Sequence, residues 1–559
     1  MNKIVTRRVK ESLKDSLKQS AITAHDNGQL AFDELPEVNL EIPKDKSHGN
    51  FASNLAMVLA KTVKKAPREV AQIIINNMAA NSYIEKIEVA GPGFINFYLN
   101  DLWVDEVLES IVAQKDQFGN SPDMDGMNIQ LEFVSANPVG PMNVVNARAA
   151  ALGDTLGNLF TACGAKAWRE YYVNDFGVQV QTLGRSLDAR YRELLGEEAQ
   201  FPEDGYRGEY LYDIAREIIT EKGNEYLQYP EAERVNLFRD LGYTKILAMQ
   251  KEDLKNYGVN YDCWFSEKSL HEKGAVPAVL EILEHKGLIF SKDGALWLRT
   301  TDFGDDKDRV LNTADGRTTY FTSDIAYHLD KFNRGFDLVI DIWGPDHHGY
   351  IARMKAAMAA LGIEPARLEV LIAQQINLLK DGQPFKMSKR RGEFITMTDL
   401  LEEVGNDVAR WFFLMRSPDS HLDFDLDLAK SQTNENPVFY VQYAFARICS
   451  IFRQATPEQL MIDYGPGLLQ YWDDEEKELL EKAAHFPDLI SEAAAKREPH
   501  RLTGYLMELA TMFHSYYNRR RFINEDLEQT KARLGLAKGL SYVFQRGLTL
   551  LGVSAPEKM

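Results

Sequence analysis

One stretch decides the fold class: residues 128–163 have the sequence NIQLEFVSANPVGPMNVVNARAAALGDTLGNLFTAC. An apolar strand candidate is followed by a loop of proline and small residues, and then by a helical run. The same order recurs where DLVIDIWG (337–344) precedes the polar loop DHHGY and the helical segment IARMKAAMAALG. Strands that alternate with helices in this way indicate an α/β fold with a parallel sheet. Ligands of such sheets bind beyond the carboxyl ends of the strands, where both loops lie.

The chain of 559 residues is longer than a single hydrophobic core usually becomes, so we expect several domains. Residues 1–120 contain an amphipathic first helix, a helical stretch at 51–64 and two β-rich runs separated by a Gly-Pro-Gly turn, which indicates an α+β domain. Residues 121–429 carry the alternating pattern, with a charged and largely helical insertion at about 185–265 and a further strand at 368–379. Residues 430–559 keep helical spacing and predict an all-α domain.

Composition limits the class of protein and its cellular context. Hydrophobic residues make up 45% and charged residues 26%, which is typical of globular proteins and not of disordered or fibrous ones. The sequence has no apolar run long enough to cross a bilayer, and its N-terminus does not resemble a signal peptide. The three separated cysteines offer no zinc pair and no disulfide framework. We therefore expect a cytoplasmic protein without a membrane partner.

The net charge of −19 argues against nucleic-acid binding in general, because proteins that neutralise phosphates usually carry a basic surface. Binding depends on local patches, however. One such patch is HSYYNRRRFI (514–523), where Tyr517 adjoins Arg519, Arg520 and Arg521 at a predicted helix end. Aromatic rings beside cations suit unpaired bases. Cations attracted to the C-terminus of a helix are the alternative explanation.

The most specific chemical signal is the basic loop Lys386-Met387-Ser388-Lys389-Arg390, which follows a predicted strand. Several cations on one short loop can neutralise charge that moves onto a leaving pyrophosphate. A solvated basic turn has the same composition, and on charge alone it is the better explanation.

The passage from loop to helix at 135–146 is a second candidate site. Small residues after a strand let backbone amides approach a phosphate at the N-terminus of a helix. Asn143 and Asn146 lie one helical turn apart, so both could face a nucleotide. An ordinary strand-to-helix connection with an asparagine cap explains the same residues equally well.

Two shorter patterns are also compatible with ligand binding. Tyr320 and Asp324 would share one face of a helix, and a carboxylate there suits the planar donors of a guanidinium. A capping aspartate beside a core tyrosine is the simpler explanation. Farther along, Asp346 could hold a ribose hydroxyl, and His347 and His348 could meet phosphates. No metal site is expected there, because ligands at the spacing of a metal site are missing.

Together these passages resemble the class I aminoacyl-tRNA synthetases and, among them, the arginyl-tRNA synthetase family. KMSKR is similar to the second signature of that class, and residues 136–146 stand where the first signature is expected. Further segments that resemble sequences of this family occur in order along the chain. They include HGNFASNLAM, VNDFGVQ, FGDDKDRVL, YFTSDIAYH, IWGPDHHGYIARMKAA, NENPVFYVQYAFARI and LLGVSAPEKM. The resemblance implies a Rossmann-type catalytic domain between an N-terminal module that contacts tRNA and a helical module that reads the anticodon.

The resemblance also implies roles for individual residues. The residues implied to bind arginine are Glu132, Ser135, Asn137, Tyr320 and Asp324. Those implied to bind ATP are Pro138, Gly140, Asn143, Asn146, Gly344, Asp346, His347, Lys386, Met387, Ser388 and Lys389. Within that group, the residues expected to act in catalysis are Asn143, Asn146, Lys386 and Lys389. Tyr517 and the three arginines after it are expected to bind tRNA.

The implied activity is that of an arginine–tRNA ligase. Arginine reacts with ATP, accompanied by Mg²⁺, to give arginyl-adenylate and pyrophosphate, and is then transferred to the 3′-terminal adenosine of tRNA(Arg). Family likeness further implies a monomer and no tightly bound metal. An adenylate-forming enzyme with another acceptor and a metal-dependent hydrolase built on Asp346, His347 and His348 rank lower.

The chain departs from the family in its first signature, which usually has the pattern His-x-Gly-His and here is Asn143-Val144-Val145-Asn146. Asparagine can donate a hydrogen bond to a phosphate, but it carries no positive charge. A catalytically impaired, tRNA-binding relative is therefore the alternative function.

Overall fold

The computed structural model describes residues 4–43, 45–385, 395–465 and 467–559. Within these ranges, no helix combines the length and the apolar character that a membrane span requires.

The first part of the chain joins helices to a small antiparallel sheet. Its elements are α1 (Val5–Asp26), β1 (Phe51–Ser53), α2 (Leu55–Val63), α3 (Pro67–Asn76), β2 (Ile84–Ala90), β3 (Phe94–Leu99) and α4 (Leu102–Gln114). The sheet has the order β1-β3-β2. Val9, Leu13 and Leu17 lie buried on one face of α1, as their spacing predicts. The helix predicted over all of 51–64 is wrong at its start, because Phe51–Ser53 pairs with β3 as a strand.

The central part of the chain alternates strands with helices. Its elements are β4 (Asn128–Phe133), α5 (Val144–Ala162), β5 (Lys166–Val173), α6 (Val178–Leu194), α7 (Glu209–Lys222), α8 (Glu231–Asn256), β6 (Cys263–Ser266), α9 (Glu267–Glu272), α10 (Ala275–His285), β7 (Ile289–Lys292), β8 (Ala295–Leu298), β9 (Arg309–Asn312), α11 (Tyr320–Asn333), β10 (Leu338–Trp343), α12 (Ile351–Leu361), β11 (Leu368–Ile372), β12 (Ile376–Lys380), β13 (Gln383–Pro384), α13 (Met397–Val404), α14 (Asn406–Leu414), β14 (Leu422–Asp425) and α15 (Leu426–Lys430).

Five of these strands form one parallel sheet in the order β11-β10-β4-β5-β6. The order reverses between β4 and β10, and this is the position at which open parallel sheets bind ligands. Helix α5 packs closely on β4, since a Cβ added to Gly153 would lie only 2.2 Å from the ring of Phe133. The predicted Rossmann-type α/β class is confirmed.

Two predictions for the central part differ from the structure. The single strand predicted at 368–379 is two strands, of which β11 joins the parallel sheet and β12 pairs with β13 and β14. The helices of the predicted insertion run from Val178 to Asn256, with a small core of their own, and β6 returns the chain to the sheet. A short, half-buried strand such as β6 gives a weak periodic signal, so the charged helices before it masked it.

The last part of the chain is helical, as predicted. Its main helices are α16 (Pro437–Gln454), α17 (Asp474–Ala484), α18 (Phe486–Lys496), α19 (His500–Arg519) and α20 (Leu527–Leu551). Leu502, Leu506, Leu509 and Phe513 of α19 are fully buried. The buried side chain of Arg410 joins this part to the sheet domain, because it donates both to Leu551 O and to the carboxylate of Asp154.

Candidate active site

The loop after β4 leaves the sheet in a strained conformation. Val134 and Ser135 have φ angles of 70° and 39°, in a region that residues with a Cβ rarely adopt. The hydroxyl of Ser135 donates to Glu132 Oε1 at 2.9 Å and accepts from the backbone N–H of Tyr172 at 3.1 Å. These bonds hold Ser135 between the carboxyl ends of β4 and β5. Strain that the surroundings maintain in this way is typical of functional sites.

Asn143 and Asn146 form a reciprocal cap at the start of α5. Asn143 Oδ1 accepts from the backbone N–H of Asn146 at 3.0 Å, and Asn146 Oδ1 accepts from the backbone N–H of Asn143 at 2.9 Å. The predicted asparagine cap is therefore present, and it uses the Oδ1 atoms of both side chains. Within the described ranges neither Nδ2 group donates to a neighbour, so the cap leaves both amide donors available to a ligand.

A second helix begins beside this cap. Asn143 forms an isolated antiparallel bridge with Thr396, which caps α13, and the backbone N–H of Met397 donates to Met142 O at 2.8 Å. Two helix N-termini side by side produce a positive field that favours an anion. The basic loop with Lys386, Met387, Ser388 and Lys389 lies outside the described residues, which begin again at Ile395.

A fully buried lysine links the two central strands at this end of the sheet. Lys331 Nζ donates to Glu132 Oε2 at 2.5 Å and to Asp341 Oδ1 at 2.7 Å, and His328 Nε2 lies 2.7 Å from Asp341 Oδ2. Burial by itself would raise the pKa of Asp341, but the charge of Lys331 and the contact with His328 lower it to about 2. The network pairs the Glu132 carboxylate with the Lys331 cation and, together with the Ser135 hydroxyl, orients it toward the loop after β4.

Three carboxylates from separate segments lie close enough to the Tyr172 hydroxyl to act on it electrostatically. Asp175 follows β5, Glu267 follows β6, and Asp324 lies on α11. Burial raises the pKa of Glu267 to about 7, and repulsion from Asp324 and Asp175 adds to the effect. Burial and these same carboxylates also raise the pKa of the Tyr172 hydroxyl. The pocket therefore concentrates negative charge and suits a cation.

The predicted pair on α11 stands at the edge of this pocket. Asp324 accepts from the hydroxyl of Tyr350 at 2.5 Å, and burial raises the pKa of Asp324. Tyr320 is 62% exposed, and Thr319 occupies the cap position of the helix. The alternative of a capping aspartate beside a core tyrosine is therefore wrong.

The remaining predicted nucleotide contacts lie on two loops. Gly344 precedes a short 3-10 helix, on which Asp346, His347 and His348 are exposed, and it follows β10, the strand next to β4. In the 135–142 loop, Pro138 is buried and Gly140 is half-buried. No group of three or more His, Cys, Asp or Glu residues in the described ranges is arranged to hold a metal ion.

Sequence reasoning missed several residues of the pocket, chiefly Asp175, Glu267 and Lys331. Asp175 stands in the VNDFGVQ passage, but its position depends on the end of β5. Glu267 was missed because β6 was taken for part of the helical insertion. An acidic residue directly after a recognised parallel strand would have been the signal for both.

In the helical domain, two of the predicted tRNA contacts are already paired. Arg519 donates to Glu475 at 2.5 Å, and Arg520 lies 3.4 Å from Asp473. Arg521 is exposed, and Tyr517 is half-buried. The guanidinium of Arg447, which sequence reasoning missed, lies 4.7 Å from the ring of Tyr517 and 4.4 Å from that of Tyr443.

Three family models match the chain in succession. The arginyl tRNA synthetase N-terminal domain matches residues 7–99, the catalytic domain of class I (R) tRNA synthetases matches 107–413, and the DALR anticodon binding domain matches 441–559. The chain belongs to the arginyl-tRNA synthetase family. The resemblance found in the sequence is therefore confirmed.

Relatives of the family match the whole length of the chain. The arginine–tRNA ligase of Shouchella clausii is 48% identical over 557 residues, and that of Geobacillus kaustophilus is 47% identical over 556 residues. Each alignment covers 99% of both chains.

Solved structures of the family have the same fold. The putative arginyl-tRNA synthetase of Campylobacter jejuni has a TM-score of 0.77 and 36% identity, covering 82% of this chain and 100% of that one. Arginyl-tRNA synthetase of Thermus thermophilus has a TM-score of 0.74 and 21% identity, covering 98% of this chain and 100% of the other, and this similarity concerns the fold alone.

Proposed function

We propose that this chain is an arginine–tRNA ligase, which activates L-arginine with ATP and transfers it to the 3′-terminal adenosine of tRNA(Arg). The observation that carries the proposal is the acidic pocket at the carboxyl ends of the parallel strands. Asp324, Glu267 and Asp175 converge there, in a chain that belongs to the arginyl-tRNA synthetase family. A guanidinium is the side chain group that such a set of carboxylates recognises best.

Substrate arginine carries two cationic groups, and the pocket offers carboxylates for both. Asp324 and Tyr320 are assigned to the guanidinium, with Glu267 contributing charge. Glu132 is assigned to the α-ammonium, supported by Ser135 and Asn137 at the start of the loop. Lys331 supports this assignment, because its hydrogen bond to Oε2 orients the Glu132 carboxylate at the start of the loop.

ATP is assigned to the surface where α5 and α13 begin. Asn143 and Asn146 would donate their Nδ2 groups to phosphate oxygens, with Pro138 and Gly140 beneath the nucleotide. Gly344, Asp346 and His347 would lie on the ribose and phosphate side. Lys386, Met387, Ser388 and Lys389 would complete the site, and Mg²⁺ would accompany the nucleotide, since phosphate oxygens and water are its usual ligands.

The reaction requires no protein nucleophile. A carboxylate oxygen of arginine attacks the α-phosphorus of ATP, the bond to the bridging oxygen breaks, and pyrophosphate leaves with the electron pair. The lysines of the basic loop would stabilise the charge on that leaving group. The terminal 2′-hydroxyl of tRNA then attacks the arginyl carbonyl, loses its proton, and releases AMP. Positioning and electrostatics account for both steps.

The proposed division of the chain follows the three folds. Residues 1–120 would contact tRNA, residues 121–429 would catalyse both steps, and residues 430–559 would bind the anticodon, with Tyr517, Arg519, Arg520 and Arg521 at the interface. A cytoplasmic monomer is part of the proposal. The comparisons do not support the alternative of an impaired tRNA-binding relative, because the curated relatives that match 99% of the chain are named arginine–tRNA ligase.

The test is the charging of total tRNA with labelled arginine by the full-length protein. The protein should form acid-precipitable arginyl-tRNA, and Lys389→Ala should reduce the rate by at least about 10²-fold, as expected for loss of a group that stabilises the leaving charge. Lys496→Ala, which removes an exposed lysine of the helical domain, is the matched control and should charge at the wild-type rate. Binding of tRNA without any charging would refute the proposal.

A further inference from the structure

Side chains from outside the 135–142 loop hold four of its eight backbone carbonyls. Ala136 O accepts from the hydroxyl of Tyr171 at 2.9 Å. Asn137 O and Gly140 O accept from Gln250 Nε2 at 3.2 and 2.9 Å. The hydroxyl of Tyr210 donates to Val139 O. Two of the three donors, Gln250 and Tyr210, belong to the helical insertion, and only Tyr171 belongs to the sheet.

Gln250 is placed for this task by the buried face of α8. It is fully buried and shares that face with Phe238, Ile246 and Leu254, so its amide lies in apolar surroundings. Its Nε2 group makes two hydrogen bonds to the loop, and its Oε1 lies 3.1 Å from the hydroxyl of Tyr171. A buried amide is costly unless it is paired in this way. The insertion is thus joined to the loop at a position where an apolar residue would otherwise be expected.

Tyr210 contacts the other side of the loop. Its hydroxyl would lie 3.3 Å from a Cβ added to Gly140, so the ring occupies the space that a side chain there would need. The side chain of Val139 packs against the core of the insertion. The loop therefore lies between β5 and the two insertion helices α7 and α8.

The bonds from Tyr171 and Tyr210 determine the direction of two amide groups of the loop, whereas Gln250 holds the carbonyls before Pro138 and Pro141, whose peptide units have no N–H. The described peptide bonds are trans, so an N–H points away from the C=O of the same peptide unit. The carbonyls of Ala136 and Val139 are held by Tyr171 and Tyr210, and the N–H groups of Asn137 and Gly140 must then point away from those donors. Asn137 and Gly140 are both among the loop residues assigned to the substrates, together with Ser135 and Pro138.

We infer that the helical insertion positions the ATP-binding loop, and that Gln250 and Tyr210 are positioning residues for the nucleotide. The inference rests on the proposed function, because it concerns the binding of ATP in the first step. Neither residue needs to touch the substrates. Their contribution is to keep the loop in the one conformation that binds ATP.

The experiment compares Tyr210→Phe with Tyr191→Phe in the full-length protein. Each substitution removes one tyrosine hydroxyl of the insertion that donates to a backbone carbonyl, but Tyr191 donates to Gly223 O, within the insertion itself. Tyr210→Phe should raise the KM for ATP in pyrophosphate exchange, measured with arginine and tRNA present, by about fivefold, as expected for one hydrogen bond. Tyr191→Phe should leave the KM for ATP unchanged. Gln250→Met keeps the side-chain volume and removes both hydrogen bonds of Nε2 to the loop, so it should raise the KM for ATP by about 20-fold.

Melting temperature and direct ATP binding separate positioning from folding. Tyr210→Phe and Tyr191→Phe should melt within about 2 °C of each other, as expected for two partly buried hydroxyl bonds of similar strength, while their dissociation constants for ATP differ. If Gln250→Met does not fold, the comparison of Tyr210→Phe with Tyr191→Phe still tests the inference. If the wild type is active and Tyr210→Phe and Tyr191→Phe have equal dissociation constants for ATP, the inference is overturned and the proposed function is not. A wild type that neither exchanges pyrophosphate nor binds ATP would overturn the proposed function, and the inference with it.

Discussion

Asn143 and Thr396 form an antiparallel bridge that places the caps of helices α5 and α13 next to each other. Asn143 belongs to the first signature of the family, and Thr396 follows closely after the second, so the bridge joins the two signatures through the backbone. Because each residue also caps its own helix, the bridge orients two helix N-termini toward the same space. This relationship supports the assignment of ATP phosphates to that space.

A pair of substitutions at Asn143 separates its capping role from its proposed ligand role. Asn143→Asp keeps an oxygen for the N–H of Asn146, so its melting temperature should equal that of the wild type. It loses the Nδ2 donor and adds negative charge, so pyrophosphate exchange should fall by about 10²-fold. Asn143→Ala should lose both the capping oxygen and the Nδ2 donor. Its pyrophosphate exchange should therefore fall, and its free energy of unfolding should fall by about 1 kcal/mol.

Asp526→Ala is the matched control for Asn143→Ala, since it removes the cap of α20 far from the sheet. It should reduce stability by about 1 kcal/mol and leave exchange unchanged. Full exchange activity in Asn143→Asp would show that Nδ2 does not contact a phosphate.

The arginine KM should depend on pH through Glu267. The pKa of this carboxyl is raised to about 7, so it is mostly neutral at pH 6 and mostly charged at pH 8. A charged carboxylate attracts the arginine cation, and the arginine KM should therefore fall as pH rises through 7. Glu267→Gln should have a higher and nearly pH-independent KM, whereas Glu272→Gln, at the end of the same short helix, should retain the wild-type profile. A profile of Glu267→Gln that matches the wild type would exclude this carboxyl as the cause.

Asp324→Asn should weaken arginine binding much more than ATP binding. The substitution keeps the shape of the side chain and removes the charge that a guanidinium needs. A hydrogen bond between charged groups contributes about 1.5–3 kcal/mol, so the arginine KM should rise by about 10- to 100-fold. The ATP KM should stay within about twofold. Tyr350→Phe, which removes only the hydroxyl that donates to Asp324, should have a smaller effect on arginine. An unchanged arginine KM in Asp324→Asn would remove this residue from the site.

Lys331→Met should destabilise the fold and weaken arginine binding together. It leaves the buried carboxylates of Glu132 and Asp341 without their shared cation, which typically costs about 3–5 kcal/mol. Adding Asp341→Asn should recover part of the melting temperature, because one of the two unpaired charges is then removed. If Lys331→Met melts like the wild type, the network does not stabilise the fold.

The lowered pKa of Asp341 sets the pH range in which this stabilisation is lost. A carboxyl whose pKa is lower in the folded chain contributes stability above its unfolded value, and this contribution disappears as pH falls toward the folded value. With a pKa of about 2, the loss for Asp341 should occur between about pH 4 and pH 2. Acid unfolding followed by circular dichroism should show Asp341→Asn to be less sensitive to pH in that range.

Arg447→Ala should weaken tRNA binding more than Arg519→Ala does. The guanidinium of Arg447 lies over the rings of Tyr443 and Tyr517 and contacts His514 and Asn518, whereas the charge of Arg519 is already paired with the carboxylate of Glu475. Stacking on one base contributes about 1–3 kcal/mol, so the dissociation constant should rise by at least about fivefold for Arg447→Ala. Titration of labelled tRNA at fixed salt tests this order. A larger effect of Arg519→Ala would reverse the assignment.

The fold class and the order of the three parts of the chain follow from the amino-acid sequence alone. Apolar runs followed by small-residue loops and helices, as at 128–163, specify local structure through short-range preferences, and these preferences are visible without the partner strands. The helix cap at Asn143 and the amphipathic face of α1 also depend only on residues that are close together in the sequence. Resemblance to the family rested on side chains such as Asp324 and Lys389, which can be recognised one by one.

The composition of the acidic pocket, in contrast, depends on the tertiary structure. Asp175, Glu267 and Asp324 are distant in the sequence and meet because the strand order places the carboxyl ends of β5 and β6 beside α11. The same holds for Gln250 and Tyr210, whose contacts with the 135–142 loop require the insertion to fold back over the sheet. Which charges meet, and hence the raised pKa of Glu267, depends on burial and on distances through space, and neither of these quantities is encoded in local patterns of residues.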